Sequence, residues 1–450
     1  MTTEPTEPTE PTEPTERTEP TEPTEPTGST DSTVSTYSAE PPKGPGGPSD
    51  TGPSRPESRW AQRGRSVLTA LLAVLLAMFI GGVLIALTDQ DTRDSLTYFF
   101  SAPMDAISNG WYAATEAYSW LLKGAILDPA TLSTGDPSKI LGSISETLVY
   151  ATPVILTGLS VALAFRTGLF NIGAQGQMIF GVIAAGWVGF HIHAPAPLHI
   201  PLALIAGMVG GAFYGGLVGV LKARTGAHEV ITTIMLNYVA LSFLLFLLGV
   251  HGFQAPPYNQ SKSLAVDNSA GLPHLFEFFA PGLRANVGFL LVLVAAILVW
   301  WLLERSTIGF RLRAVGASPA ASRTAGISAE RAFVVAMTLA GVLAGLAGAA
   351  QLLGPAREIT TTIDNGAGFD GITAALLGRG KPGGVVAAGL LFGALRAGGQ
   401  RMASETGTPI DIVVVVQALT VLFIAAPALV QAIFRVRTSG GLGAEQAKGW

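Results

Sequence analysis

The 450-residue chain contains no cysteine, six histidines and few charged side chains. The absence of cysteine excludes disulfide frameworks and thiolate metal sites. Charged residues make up 13% of the chain, against about 25% in average soluble domains, which argues against a soluble enzyme of this size. No basic cluster typical of nucleic-acid binding occurs. With apolar residues at 49%, the remaining class is all-α, a polytopic helical membrane protein.

The first 66 residues differ from the rest in charge and composition. They hold 12 acidic and 6 basic side chains, so the net negative charge of the chain lies there alone. Residues 3–26 repeat Thr-Glu-Pro, and proline at every third position blocks helices and sheet ladders. Residues 1–66 are therefore predicted to be a disordered cytoplasmic tail, either a tether that binds proteins or a spacer. A second short cytoplasmic tail is predicted at 438–450, leaving 67–437 as the transmembrane domain.

Ten apolar segments are predicted to span the membrane, and the first has 21 residues, enough to cross a bilayer. The segments are approximately 67–87, 147–165, 172–190, 198–221, 230–250, 285–303, 331–353, 367–378, 383–399 and 411–434. Lys and Arg are concentrated in the loops after even-numbered spans, which predicts that both chain termini are cytoplasmic.

Residues 98–127, between the first two spans, mix aromatic side chains with Asp105, Asn109 and Glu116. This mixture favours an amphipathic helix on the outer membrane surface, with an additional pair of short spans as the alternative.

Glycines spaced four residues apart predict close packing between spans, because small residues let helix backbones approach each other. They are Gly207, Gly211, Gly215 and Gly219 in one span, Gly341 and Gly345 in another, and Gly389 and Gly393 in a third.

A segment rich in glycine and side-chain amides, residues 166–178, breaks the chain at the entrance of a span. An unpaired amide in hydrocarbon costs about 2–7 kcal/mol, so its three amides must meet each other, backbone, water or a solute. The residues alone leave two interpretations open: a polar translocation path, or hydrogen bonds that connect helices.

A second broken segment, residues 361–384, lies in the other half of the chain. Two such segments in corresponding positions predict a broken-helix, inverted-repeat core with the pathway between the repeats. The residues assigned to the substrate pathway are Phe170, Asn171, Gln175, Gln177, Asn237, Asp364, Asn365 and Phe369.

The loop at 304–330 contains the start and stop signals of a helix of about two turns. Ser318 suits the N-cap, Pro319 the first helical position and Gly326 the residue after the end. Its small side chains suit docking into a partner's groove, and an ordinary loop helix beside anionic lipid is the alternative.

Signatures of catalysis are missing from the sequence. It contains no His-Glu-x-x-His zinc motif, no Gly-x-Ser-x-Gly and no phosphate-binding Gly-x-x-x-x-Gly-Lys-[Ser/Thr]. We therefore expect no catalytic residues, no metal, no cofactor and no ATPase site in this chain.

Three stretches carry a family resemblance: GLFNIGAQGQMIFG at 168–181, GFRLRAVGASPAASRTAGIS at 309–328 and GFDGITAALLGRGKPGG at 368–384. They closely resemble the permease subunits of bacterial ABC importers, in the simple-sugar and nucleoside branch of the branched-chain amino acid/ribose-type permeases. The similarity covers about residues 140–435. Gln175 stands where glutamate is common in the family, so a contact made by that carboxylate must be neutral here.

The resemblance implies a multi-pass protein of the bacterial cell membrane that carries a small polar solute, a nucleoside or a simple sugar. It implies as partners two cytoplasmic ATPase subunits, a second permease that is identical or related, and an extracytoplasmic solute-binding protein. It also assigns coupling to the ATPase to Arg311, Arg313, Gly316, Ser318, Pro319, Ala320, Ala321, Ala325 and Gly326. An ion-coupled secondary transporter is the alternative function, although such transporters usually carry ionisable residues within their spans.

Overall fold

The computed structural model describes residues 59–426, 429–430 and 433–434. The predicted tails lie outside these residues, except for 59–66, which belong to the first helix. That helix begins at Arg59 and not at the predicted Val67, because the Trp, Ala, Gln and Arg residues before the apolar segment are compatible with a helix.

The described part of the chain is helical and contains isolated β-bridges but no strand. The α-helices are α1 (Arg59–Thr88), α2 (Gln90–Leu96), α3 (Pro103–Ala125), α4 (Pro129–Leu132), α5 (Pro137–Ile140), α6 (Gly142–Phe165), α7 (Ala174–His191), α8 (Ala196–Thr225), α9 (Glu229–Leu247), α10 (Gly288–Arg305), α11 (Thr307–Ala317), α12 (Pro319–Thr324), α13 (Ala329–Gln351), α14 (Ala367–Leu377), α15 (Pro382–Thr406) and α16 (Asp411–Ala425). A 3₁₀ turn lies at Asn268–Ala270, and a π-helical turn, Leu352–Ala356, follows α13.

Each predicted span coincides with one helix: α1, α6 to α10, or α13 to α16. Five helices of the described part are long and apolar enough to cross a membrane, and a bent pair formed by α1 and α2 would make six. The chain is therefore a multi-pass helical membrane protein. Because α14 and α16 are short, the count of ten spans stays a prediction.

The region predicted as an amphipathic helix forms the single helix α3, so the alternative of two short spans is wrong. One face of α3 packs on α1 and α15: the Tyr118 hydroxyl donates to the Met78 carbonyl, and Gly124 lies against Gly398. The opposite face leaves Trp111 and other aromatic side chains exposed. The helix is continuous because these contacts hold it along its length; its position at the membrane surface stays a prediction.

Two long helices, α6 and α13, pack antiparallel against partners from the other half of the chain. Gly389 and Gly393 of α15 meet Ile155 and Ala151 of α6. Along α8, successive glycines meet α13 in the same way, and a Cβ at Gly211 would lie 2.2 Å from the Gly341 carbonyl oxygen. The predicted close packing at the spaced glycines is confirmed.

The shorter helices α7 and α14 also each pack on a long helix from the other half of the chain, but run parallel to it. Helix α7 runs parallel to α13, with Gly181 against Gly345, and α14 runs parallel to α6, with Gly158 against Gly371. Each half thus contributes a long helix, a break, a returning helix and an antiparallel partner, in opposite directions. This arrangement is the inverted repeat that the two broken segments predicted, and it places both breaks in the interior between the halves.

Candidate functional site

The first break, residues 166–173 between α6 and α7, is closed by side-chain amides. Asn171 and Gln177 are fully buried and donate to each other's amide oxygens, at 3.1 and 3.2 Å. The backbone N–H of Gly173 donates to the same Asn171 oxygen at 3.0 Å, and the Asn171 amide also reaches Ser160 of α6 at 3.3 Å. These bonds satisfy the polar groups that the break exposes.

Asn237 of α9 completes this corner from the other side. Its amide donates to the Ile172 carbonyl and accepts from the Gly176 N–H, both at 2.9 Å. Three of the eight residues assigned to the pathway, Asn171, Gln177 and Asn237, therefore bond to the broken backbone or to each other. Such bonds fit the interpretation that these amides connect helices. They leave the amides few free donors or acceptors for a solute.

The second break runs from the π-helical turn to the start of α14. Asp364 is buried there and accepts a 2.9 Å hydrogen bond from Gln175 of α7, which links the two breaks directly. The Thr157 hydroxyl of α6 donates to the Ala367 carbonyl at 2.7 Å. Gln175 and Asp364, predicted independently from the two halves, are brought together.

A charged cluster adjoins this break. Arg396 of α15 donates to the Asn365 amide oxygen at 2.6 Å, and its guanidinium lies 3.6 Å from the Asp370 carboxylate. Gln417 of α16 donates to Asp370 at 3.0 Å. Of these residues the pathway prediction included Asn365 alone. Lone polar residues in the apolar segments 383–399 and 411–434 were the signal that could have identified Arg396 and Gln417.

A small cavity of about 10 Å³, large enough for about one water, lies beside this cluster. Tyr150 and Gln351 contribute to its wall together with Asn365, Asp370 and Arg396. Within the described residues, the buried Nε of Arg396 has no hydrogen-bond partner. Charged side chains, a small cavity and a donor without a partner among the described residues thus lie together beside the second break.

The two aromatic residues assigned to the pathway lie apart from these bonds. Phe170 is 37% exposed and packs against Phe165, with ring centroids 4.9 Å apart and ring planes inclined by 41°. Phe369, on the first turn of α14, is 51% exposed.

The predicted loop helix is confirmed as α12. The Ser318 hydroxyl caps it by accepting from the Ala321 N–H at 3.2 Å, Pro319 is its first residue, and Gly326 adopts a φ of +76° just after its end. Of the predicted coupling residues, Arg311, Gly316, Pro319, Ala320, Ala321, Ala325 and Gly326 are exposed, while Arg313 and Ser318 are partly buried. The small residues of α12 therefore form an accessible surface.

Gly316, at the end of α11, has a contact that sequence reasoning missed. A Cβ there would lie 2.3 Å from the Arg166 carbonyl oxygen, and Gly168 approaches the same glycine. The loop that carries α12 therefore touches the first break backbone to backbone. No sequence pattern signals this contact, because residues 166–168 and 316 are far apart along the chain.

Within the residues that the structure describes, no group of three or more His, Asp or Glu side chains is placed to hold a metal ion. The polar residues at the second break can exchange hydrogen bonds with a solute.

Comparison with known proteins identifies the family. The model of the "branched-chain amino acid transport system / permease component" family matches residues 143–425. The guanosine ABC transporter permease protein NupP of Bacillus subtilis is 42% identical over 285 residues, 63% of this chain and 81% of that protein. The nucleoside ABC transporter permease protein NupB of Lactococcus lactis is 38% identical over 303 residues, 64% of this chain and 80% of that protein.

The glucose ABC transporter permease protein TsgB13 of Haloferax volcanii is 31% identical over 378 residues, 83% of this chain and 89% of that protein. No solved structure matches the chain at a significant level. The matched region, 143–425, contains both breaks, the charged cluster and the α11–α12 loop. The chain therefore belongs to the branched-chain amino acid transport system permease family.

Proposed function

We propose that this chain is the membrane-spanning permease subunit of an ATP-binding-cassette importer for a small polar solute, either a nucleoside or a simple sugar. Relatives whose names specify guanosine, nucleosides and glucose support this proposal. The observation that carries it is the polar second break, whose charged cluster lies beside a small cavity at the junction of the two inverted halves. That is where transporters built from inverted repeats bind their solutes.

The proposed solute contacts are Gln175, Asp364 and Asn365, with Arg396 and Asp370 added from the structure. Amide, carboxylate and guanidinium groups offer both donors and acceptors to sugar hydroxyls. In this proposal Asn171, Gln177 and Asn237 hold the first break rather than contact the solute. Phe170 and Phe369 supply apolar surface for the face of a base or a sugar ring.

Energy for transport comes from separate subunits in this proposal, since the sequence has no phosphate-binding loop. Two cytoplasmic ATPases dock on the α11–α12 loop, a second permease completes the pathway, and an extracytoplasmic binding protein delivers the solute. The exposed small-residue surface of α12 supports the docking assignment. Both chain termini lie in the cytoplasm of a bacterial cell in this arrangement, because it places the loops richest in Lys and Arg inside.

Uptake of radiolabelled guanosine, other nucleosides and simple sugars by a strain that lacks the gene tests this proposal. Uptake of one of these solutes should disappear with the deletion and return with the wild-type gene. It should stop when ATP is depleted and continue when an ionophore collapses the proton gradient. Uptake that fails with the gradient while ATP stays high would contradict the proposal.

That contrary result would support an ion-coupled secondary transporter, the second candidate function. The observation in its favour is the Asp370–Arg396 pair, a set of ionisable groups within predicted spans, which ion-coupled transporters often use. Exchange of Asp370 for Asn separates the two functions: it abolishes coupling to the gradient in a secondary transporter, whereas an ATP-driven permease has no such coupling to lose.

A further inference from the structure

A cleft of about 590 Å³ opens where α6 and α10 end and α15 begins. It lies on the face of the protein that carries α11 and α12, because its wall includes Arg166, whose backbone contacts Gly316. Arg166, the first residue of the first break, lines this cleft, but none of the proposed solute contacts does and the small cavity beside Arg396 shares no lining residue with it, so the transport proposal does not use it.

The wall of the cleft carries uncompensated positive charge. Arg166, Arg305 and Lys381 line it together with one carboxylate, that of Glu304. Among the described residues, none of the three cations has a carboxylate oxygen within 4 Å. Glu304 instead lies 3.9 Å from a guanidinium nitrogen of Arg313. An anion that entered the cleft would therefore meet three cations that have no carboxylate partner among the described residues.

The turn before α15 is held in place at the cleft and leaves backbone donors free. Arg166 donates to the Gly380 carbonyl at 3.3 Å, which fixes the turn. Helix α15 has no side-chain cap, and its first backbone bond is made by Val385, so the N–H groups of Gly383 and Gly384 have no partner among the described residues. These donors at the positive end of a helix add to the attraction of the three cations for a phosphate group.

An apolar surface continues from the cleft along α10. Trp300 forms part of the wall, and Ile297, Leu298 and Trp301 are between 53% and 63% exposed on the same helix. Tryptophan is enriched where hydrocarbon meets headgroups, and basic pockets between membrane helices bind anionic headgroups. The apolar surface suits acyl chains, whereas a free phosphate ion would make no use of it.

We propose that this cleft binds a phosphate-bearing anion, and that its occupant is the headgroup of an anionic phospholipid whose acyl chains lie along α10. The cations hold the phosphodiester, and the free N–H groups at the start of α15 bond to its oxygens. The proposal concerns the lipid environment of the protein and stands independently of the solute and of the energy source.

Lipid retention by the purified full-length chain tests the proposal, with native mass spectrometry after addition of phosphatidylglycerol or phosphatidylethanolamine. The wild-type protein should retain more phosphatidylglycerol than phosphatidylethanolamine. The variant R305Q/K381Q should retain about 30-fold less, the change expected from two basic contacts of about 1 kcal/mol each. The matched control R224Q/R331Q removes the same charge from exposed positions on the same face and should behave as wild type.

Two further measurements distinguish loss of charge from loss of folding, and a lipid headgroup from a free phosphate ion. The charge-conserving variant R305K/K381R should restore retention, which shows that loss in the glutamine variant reflects charge and not folding. Inorganic phosphate in excess should fail to displace the lipid. Displacement would show that the cleft binds free phosphate and would overturn the assignment of a lipid headgroup to it. Equal retention of phosphatidylglycerol by wild type and R305Q/K381Q, or equal loss in the control, would overturn the proposal.

Discussion

The two breaks occupy equivalent positions in the inverted repeat but differ in chemistry. At the first, neutral amides bond to each other and to backbone, and Asn171 and Gln177 are fully buried. At the second, Asp370, Arg396 and Asn365 form a charged cluster beside a small cavity, and a guanidinium donor lacks a partner within the described residues. Neutral amides that are hydrogen-bonded to each other and to backbone hold the first break in place. Charged side chains beside a cavity can exchange hydrogen-bond partners with a solute. The same backbone geometry thus supports a structural role in one half and a proposed binding role in the other.

Loss of Arg396 should produce the largest effect, because the second break depends on compensated charge. Arg396→Leu leaves the partly buried Asp370 carboxylate without its cation, at a cost of about 3 kcal/mol. We expect low yield and a lower melting temperature of the purified protein. The double variant Asp370→Leu/Arg396→Leu should recover stability without recovering uptake. A single variant as stable as wild type would show that the cluster is not electrostatically coupled.

Removal of an amide from the first break should have the next largest effect on stability. Asn171→Leu strands the Gly173 N–H and the Gln177 amide in the core, at a cost of about 2 kcal/mol. The melting temperature should fall even without solute, as thermal denaturation in detergent measures directly. Normal stability combined with lost uptake would instead place Asn171 in the pathway and remove the contrast between the breaks.

Removal of an amide from the second break should spare stability and reduce transport. Asn365 is exposed and adopts a φ of +47°, so Asn365→Gly deletes the side chain without backbone strain. We expect an unchanged melting temperature and uptake reduced about tenfold, the effect of losing a hydrogen bond of about 1.4 kcal/mol. Normal uptake by this variant would remove Asn365 from the pathway.

A change on α12 should leave both breaks intact and have the smallest effect on the fold. Ala321 is exposed, so Ala321→Glu should melt as wild type does, while its bulk and charge disturb docking of the ATPase. We expect normal assembly of the permease but loss of ATP-driven uptake, with Ala321→Ser as the conservative control. Gly316 is unsuited to this test, since a side chain there would collide with the Arg166 carbonyl at the first break.

Much of the architecture could be predicted from local sequence. Apolar length located the long helices, glycine spacing located their close contacts, and Ser318-Pro319 with Gly326 located α12. These features depend on residues that are close together in the chain, where period and capping chemistry are readable.

The charged cluster could not be predicted in the same way. Asp370, Arg396 and Gln417 belong to three helices, and no spacing rule relates them. Likewise, the distinction between Asn171, which bonds within its own break, and Gln175, which reaches the other half, depends on which side of α7 each amide faces. Only the packing of the two halves decides these contacts.

Uptake by proteoliposomes shows whether ATP or an ion gradient drives transport through this chain. The chain is reconstituted with the proposed ATPase subunits, second permease and binding protein, and accumulation of labelled nucleosides and sugars is measured with and without ATP. We expect accumulation of one of these solutes with ATP alone, and about tenfold less accumulation with Asn365→Gly. Accumulation driven by an ion gradient in vesicles that contain this chain alone would contradict it.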